Sequence, residues 1–149
     1  MDIFNLLKED HDKVKNLFQK LEKTEETSER DELFGQLEHE LTVHSRLEEE
    51  HFYPVLEHDP RTKDLISEAL KEHKQVDQVL EDLMDMLPDD EDWDETLKEL
   101  NRLVEHHVAE EENTMFPKAR QVLGEEKAQE LAELIQREKE SLRRDYESV

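Results

Sequence analysis

His44 and Glu48 stand four residues apart, and so do His107 and Glu111. On a helix that spacing puts an imidazole and a carboxylate side by side on one face. Each pair is followed by an aromatic-proline step whose proline stands ten residues after the histidine, Tyr53-Pro54 and Phe116-Pro117. A helix of this kind ends near its proline. Two such helices facing each other bring together donors that hold metal ions.

The chain repeats itself. Leu7-Lys8-Glu9-Asp10-His11 resembles Leu70-Lys71-Glu72-His73, and the pairs Val14/Val76, Leu17/Val79, Phe18/Leu80 and Leu21/Leu83 continue the match. Helices one and two therefore correspond to helices three and four, about a pseudo-two-fold axis. The repeat sorts the eight histidines. His39, His51, His58 and His106 correspond to Arg102, Thr114, Gln121 and Val43 in the other half, and read as surface or rim residues. His11, His44, His73 and His107 form two repeat-related pairs, each on the apolar stripe of its helix.

Desolvation gives these four a purpose. An unpaired buried carboxylate costs several kcal/mol even after relaxation. Glu48 and Glu111 would place two in the bundle centre, and no Lys or Arg lies on the inner stripes of the first four helices. Cations turn that cost into binding energy, because metal binding is coupled to folding and to ligand deprotonation. Four imidazoles and two carboxylates are too many for a single zinc ion. Calcium and magnesium prefer all-oxygen sites. Iron or manganese suits the mixture, and the repeat predicts two ions, one per half, with both glutamates bridging. Glu112, one residue round the helix from Glu111, is expected to matter little.

The elements that must carry these residues follow from periodicity. Asp2 caps a first helix to about Thr24, with Ile3, Leu7, Val14, Phe18 and Leu21 on its stripe. Ser28 with Asp31 resembles a capping box and opens a second, with Leu33, Leu37, Leu41, His44 and Glu48 inward. Asp59-Pro60 reads as the start of a third, carrying Leu65, Ile66, Ala69, His73, Val76, Leu80, Leu83 and Leu87 up to Pro88. Asp92 with Glu95 opens a fourth, with Leu97, Leu100, Val104, His107 and Glu111, closed by Pro117. Lys118 to Leu123 forms a short extra turn before Gly124. Glu125 to Tyr146 is a further helix, marked by Leu131, Leu134, Ile135 and Leu142. No stretch alternates like a strand. The expected fold is all-α: an up-down-up-down four-helix bundle over about residues 2–117, with a C-terminal helical extension over about 118–149, in one domain.

Composition narrows the partners. The net charge is −23, with 42% charged residues. So acidic a surface repels phosphate backbones and anionic membranes, so neither nucleic acid nor membrane is an expected partner. The chain has no cysteine, which excludes disulfides, zinc-thiolate sites, iron–sulfur clusters and thiol nucleophiles. It shows no signal peptide and no apolar run of transmembrane length, and a soluble cytoplasmic protein is expected.

His11, then His44-x-x-x-Glu48, then His73, then His107-x-x-x-Glu111 resembles the hemerythrin family in its bacterial and archaeal HHE cation-binding form. Asp10-His11 and the two Glu-Glu…aromatic-Pro endings support the likeness, which covers all but the tail. The rival ferritin-like scheme needs Glu-x-x-His twice; Glu48-x-x-His51 fits, but Glu111 is followed by Thr114. The resemblance implies two iron ions in an oxo- or hydroxo-bridged centre, with His11 and His44 on one, His73 and His107 on the other, and Glu48 and Glu111 bridging. It implies a protein that binds or reacts with dioxygen or a related small oxidant. Alternatives are a di-iron oxidoreductase, peroxidase-like, ferroxidase or acting on nitric oxide, and an iron- or oxygen-sensing protein; whether the chain is an enzyme stays open. Oxygen-carrying relatives have a further histidine one turn after the third-helix ligand. Here that residue is Asp77, expected not to ligate and to leave an open or water-filled position.

Overall fold

The computed structural model describes residues 1–147, with side chains to residue 144. Five helices follow one another: α1 Ile3–Lys23, α2 Thr27–Leu47, α3 Lys63–Met84, α4 Trp93–Glu110 and α5 Phe116–Glu147. No strand occurs among the described residues. The first four form the antiparallel bundle, and α5 is the additional C-terminal helix. Asp2 caps α1 by accepting a hydrogen bond from Asn5 N at 2.9 Å, and Lys20 and Lys23 sit in its last turn, where cations suit the helix dipole.

The core lies in two apolar blocks separated by a polar belt. One block joins Ile3, Phe4 and Leu7 of α1 to Leu47, Phe52 and Leu56, to Ile66 and Ala69 of α3, and to Met115 and Phe116. Helix α5 covers this block with Ala128, Leu131, Ala132 and Ile135. The other gathers Val14 to Leu21 of α1, Leu37 and Leu41 of α2, Val76 to Leu83 of α3, and Trp93, Leu97, Leu100 and Val104 of α4. Along each of the first four helices, the buried polar residues fall between these two blocks: Asp10 and His11, His44 and Glu48, Glu72 and His73, His107 and Glu111. Helical spacing thus sets one polar layer at one height across the bundle.

Several helix ends depart from the sequence expectation. Asp59-Pro60 starts a turn rather than α3. Thr62, fully buried, donates its hydroxyl to Leu56 O at 2.6 Å and is held off helical geometry at φ −124°, so α3 begins at Lys63. The capping box at Ser28 does not form; its hydroxyl donates to Glu26 Oε1 at 2.6 Å, and α2 starts at Thr27. Helix α3 ends at Met84, and Leu87 is exposed. Pro117 does not close α4. Residues Glu111–Met115 form a π-helical turn in which Phe116 N donates to Glu111 O, and a proline so near the start of a new helical register forfeits no hydrogen bond. The extra turn at 118–123 and the helix from 125 are one element, interrupted only at Gly124, whose φ of 75° and ψ of 170° belong to glycine.

Candidate metal centre

A π-helical turn starts at each central glutamate. Glu48–Phe52 is the counterpart of Glu111–Met115, and Tyr53 N donates to Glu48 O as Phe116 N does to Glu111 O. The extra residue in each turn shifts the helix face just after the ligand pair, so the following aromatics also point inward. Phe52, Tyr53, Met115 and Phe116 are all buried as a result.

The six residues singled out by the repeat come together in two overlapping groups. His11, His44, Glu48 and Glu111 offer donor atoms within 4.8 Å of one another, and so do Glu48, His73, His107 and Glu111. All six are buried. Each histidine turns Nε2 inward. His11 Nε2 lies 3.2 Å from Glu111 Oε1, and His44 Nε2 lies 3.3 Å from Glu48 Oε1. His73 Nε2 is 3.2 Å from Glu48 Oε1, and His107 Nε2 is 3.3 Å from Glu111 Oε2.

Each outward Nδ1 meets a different carboxylate. Glu112 Oε2 is 2.6 Å from His11, Asp10 Oδ2 3.0 Å from His44, Glu49 Oε2 2.8 Å from His73 and Glu72 Oε1 2.7 Å from His107. An ionised carboxylate only accepts, so Nδ1 carries the donated proton, and in the neutral ring Nε2 keeps its lone pair for the interior. Such outer carboxylates fix the ring and raise its basicity as a ligand. Glu112 is therefore not a bystander, as its place one residue round the helix had suggested. Glu111 points in and meets Nε2 of His11, while Glu112 turns toward the back of the same ring and meets Nδ1. These outer acids obey the same repeat as the ligands, Glu49 with Glu112 and Asp10 with Glu72, and that signal was present in the sequence.

Tyr53, which the sequence shows only as part of an aromatic-proline step, also joins the layer. Its hydroxyl donates to Glu111 Oε2 at 2.5 Å, stands 3.2 Å from Glu48 Oε1 and 3.2 Å from His73 Nε2. Its repeat partner is Phe116, so the phenol makes the two halves unequal. Asp77 is exposed and belongs to neither group. Among the described residues, His39, His51 and His58 also lie outside every such grouping.

Charge is balanced by protons when no cation is bound. Burial works against a charged His44, but Glu48 and Asp10 outweigh it and lift its pKa to about 10. Burial likewise opposes charge on His73 and His107, and the neighbouring glutamates raise both. Burial raises Glu48, yet the histidines around it hold it well below the usual range. Burial and Glu48 both push Glu111 up, and His107 with His11 brings it below its ordinary value. Even so, His11 Nε2, His44 Nε2, Glu48 Oε2 and Glu111 Oε1 are shut off from water with no hydrogen bond. Buried polar atoms left without partners are rare and call for an explanation. Here they are the donor atoms aimed at the centre, of the types that hold transition metals.

An all-helical bundle with such a layer defines a helical metal-binding protein. The sequence profile of the hemerythrin HHE cation-binding domain matches residues 2–119. A solved hemerythrin HHE cation-binding domain-containing protein from Mycobacterium kansasii superposes with a TM-score of 0.87 at 28% identity, over 97% of this chain and 89% of that one. A Nostoc protein named DNA nickase is 30% identical over 132 residues, 89% of this chain but 37% of its own length. The chain thus spans well under half of that relative. The chain belongs to the hemerythrin HHE cation-binding family.

Proposed function

We propose that this protein holds two iron ions in the polar layer and there binds or reacts with dioxygen or a related small oxidant. His11 and His44 would hold one ion, His73 and His107 the other, with Glu48 and Glu111 shared between them. The observation that carries the reading is the inward set of donor atoms without partners, backed by a carboxylate at every outer ring nitrogen. Bound iron would supply reversible one-electron chemistry and a Lewis-acidic centre for a small ligand.

The chain's own residues limit what can approach. A cavity of about 30 Å³ opens on the rings of all four histidines and is walled by Val14, Leu41, Val76 and Val104. That space suits a molecule of two or three atoms and no organic substrate. Its apolar wall favours an uncharged guest. Above the other face Phe116 stacks on His11 at 6.2 Å, and Phe4 and Phe52 pack behind it. Tyr53 holds its phenolic oxygen close to His73 Nε2 and Glu111 Oε2, where it would keep Glu111 in place or join the ligands of the ion on the His73 side. An enzymatic use of the same centre differs from a binding one in whether the bound oxidant is released or consumed.

A surface of net charge −23 repels phosphates, which argues against a nucleic-acid partner for this chain. Among the described residues no helix is long and apolar enough to cross a membrane.

Metal analysis with optical spectra of iron-loaded protein, under reducing and then aerated conditions, tests the proposal. Two irons per chain and visible bands that respond to oxygen are expected. A full complement of one ion per chain, or spectra indifferent to oxygen, would overturn it.

A further inference from the structure

Helix α4 carries its ligand motif twice, one residue out of step. His107 and Glu111 face the core, while His106 and Glu110 make the same i, i+4 pair on the adjoining outer face. His106 Nε2 lies 3.3 Å from Glu110 Oε1 and 3.3 Å from Glu72 Oε2. Glu72 belongs to α3, so two helices converge, and the three residues offer donor atoms within 4.8 Å of one another.

The pseudo-symmetry shows what is unusual here. In the first half Asp10 uses one oxygen for His44 and the other for the ammonium of Lys139 from α5. In the second half Glu72 uses Oε1 for His107. Its Oε2 receives no ammonium: among the described residues only the imidazoles of His106 and His107 come within ion-pair distance of Glu72. Glu72 is 6% exposed, and Oε2 is shut off from water without a hydrogen bond. Glu110 adds a second carboxylate instead of a cation. Where Lys139 supplies positive charge in one half, the other half supplies donor atoms. The repeat positions of His106 and Glu110 are Val43 and Leu47, so the fold itself does not require this cluster.

We propose that Glu72, His106 and Glu110 form an auxiliary site for one first-row divalent cation, on the outer face of the α3–α4 pair. One imidazole with two carboxylates matches Zn²⁺, Mn²⁺ or Fe²⁺ better than Ca²⁺ or Mg²⁺. His106 and Glu110 are exposed, so water completes the coordination and exchange is fast. Because Glu72 also holds Nδ1 of His107, an ion bound here draws charge from a residue of the buried layer and couples the two sites.

Equilibrium dialysis of the tag-free full chain against Zn²⁺ tests this. Wild type should hold one ion per chain more than His106→Ala, and Glu110→Gln should weaken that ion at least tenfold. The difference is read whatever number the buried layer holds, so it stands apart from the di-iron reading. Both substitutions are at exposed side chains, and the wild type gives a second readout: Mn²⁺ should broaden the His106 ring signal in proton NMR before those of His39 and His58. Equal zinc uptake by the three proteins, or broadening of the three histidines in step, would overturn the proposal.

Discussion

Each of the four buried histidines stands between two carboxylates, one at each ring nitrogen. Removing an outer acid frees the ring to turn and lowers its basicity, which typically costs about 10–100-fold in metal affinity. Glu112→Ala should therefore weaken iron retention on the His11 side by that order, although Glu112 is itself no inward donor. Chelator-release kinetics measure it; release as slow as in wild type would mean that the 2.6 Å contact to His11 does nothing for the ligand. Tyr53→Phe removes a hydroxyl and keeps the ring, and its repeat partner is already phenylalanine. The bundle should fold as before, while the visible spectrum of the iron-loaded protein loses intensity and iron on the His73 side leaves about tenfold faster. An unchanged spectrum would place the phenol outside the centre. Which histidines are buried in the layer was legible because they repeat at stripe positions. The outer acids were equally repeated, but in a chain with 43 acidic residues a single glutamate carries little weight until its partner is seen. Tyr53 breaks the repeat, and a criterion built on symmetry passes over it.

The helices position this layer through their ends as much as through their faces. A π-helical turn at each central glutamate re-aims the chain by about one residue, and it does so between the ligand pair and the aromatic-proline step. Periodicity places the helices and their stripes because burial follows a period of 3.6. It cannot place these turns, since one extra residue inside a helix leaves no mark in the hydrophobic pattern. The same blindness explains Pro117, which signals a stop in sequence and lies inside helix once the register has shifted. Helix α5 depends on Gly124 to turn back over the apolar block around Ile3 and Phe52. At φ 75° and ψ 170° a side chain is strained by the backbone alone, for an added Cβ would meet nothing within 4 Å. Gly124→Ala should cost about 1–3 kcal/mol, read as a lower urea midpoint at unchanged slope. A loss below about 0.5 kcal/mol, the usual range of surface substitutions, would show that α5 can reach its seat by another backbone path. The departure would also reach the centre, because Lys139 of α5 anchors Asp10 behind His44.

At the scale of the whole molecule, protons and metal ions compete for one buried charge balance. His44 is raised from 6.5 to about 10 in the folded metal-free chain. A group raised on folding contributes stability that is complete below its unfolded value and is lost as pH rises through the folded one. The pairing of His44 therefore stabilises the metal-free chain fully below pH 6.5 and fades between 6.5 and about 10. His73 and His107 are shifted in the same direction. Glu48 and Glu111 are lowered from 4.5, so their contribution is present above that value and fades as pH falls through their folded values. The metal-free chain should be most stable between about pH 4.5 and 6.5. Metal ions require neutral imidazoles and release protons on binding, so their hold strengthens over the pH range in which the protons' hold weakens. Self-repulsion of the acidic surface acts on both forms and cancels in their difference. The gap in melting temperature between iron-loaded and metal-free protein should thus widen steadily from pH 6 to pH 9, with the optimum of the loaded form displaced upward. Thermal melts of both forms at matched ionic strength measure it. Parallel pH profiles would mean that the buried histidines are not exchanging protons for metal, and the charge balance drawn from Glu48 and Glu111 would fail with them.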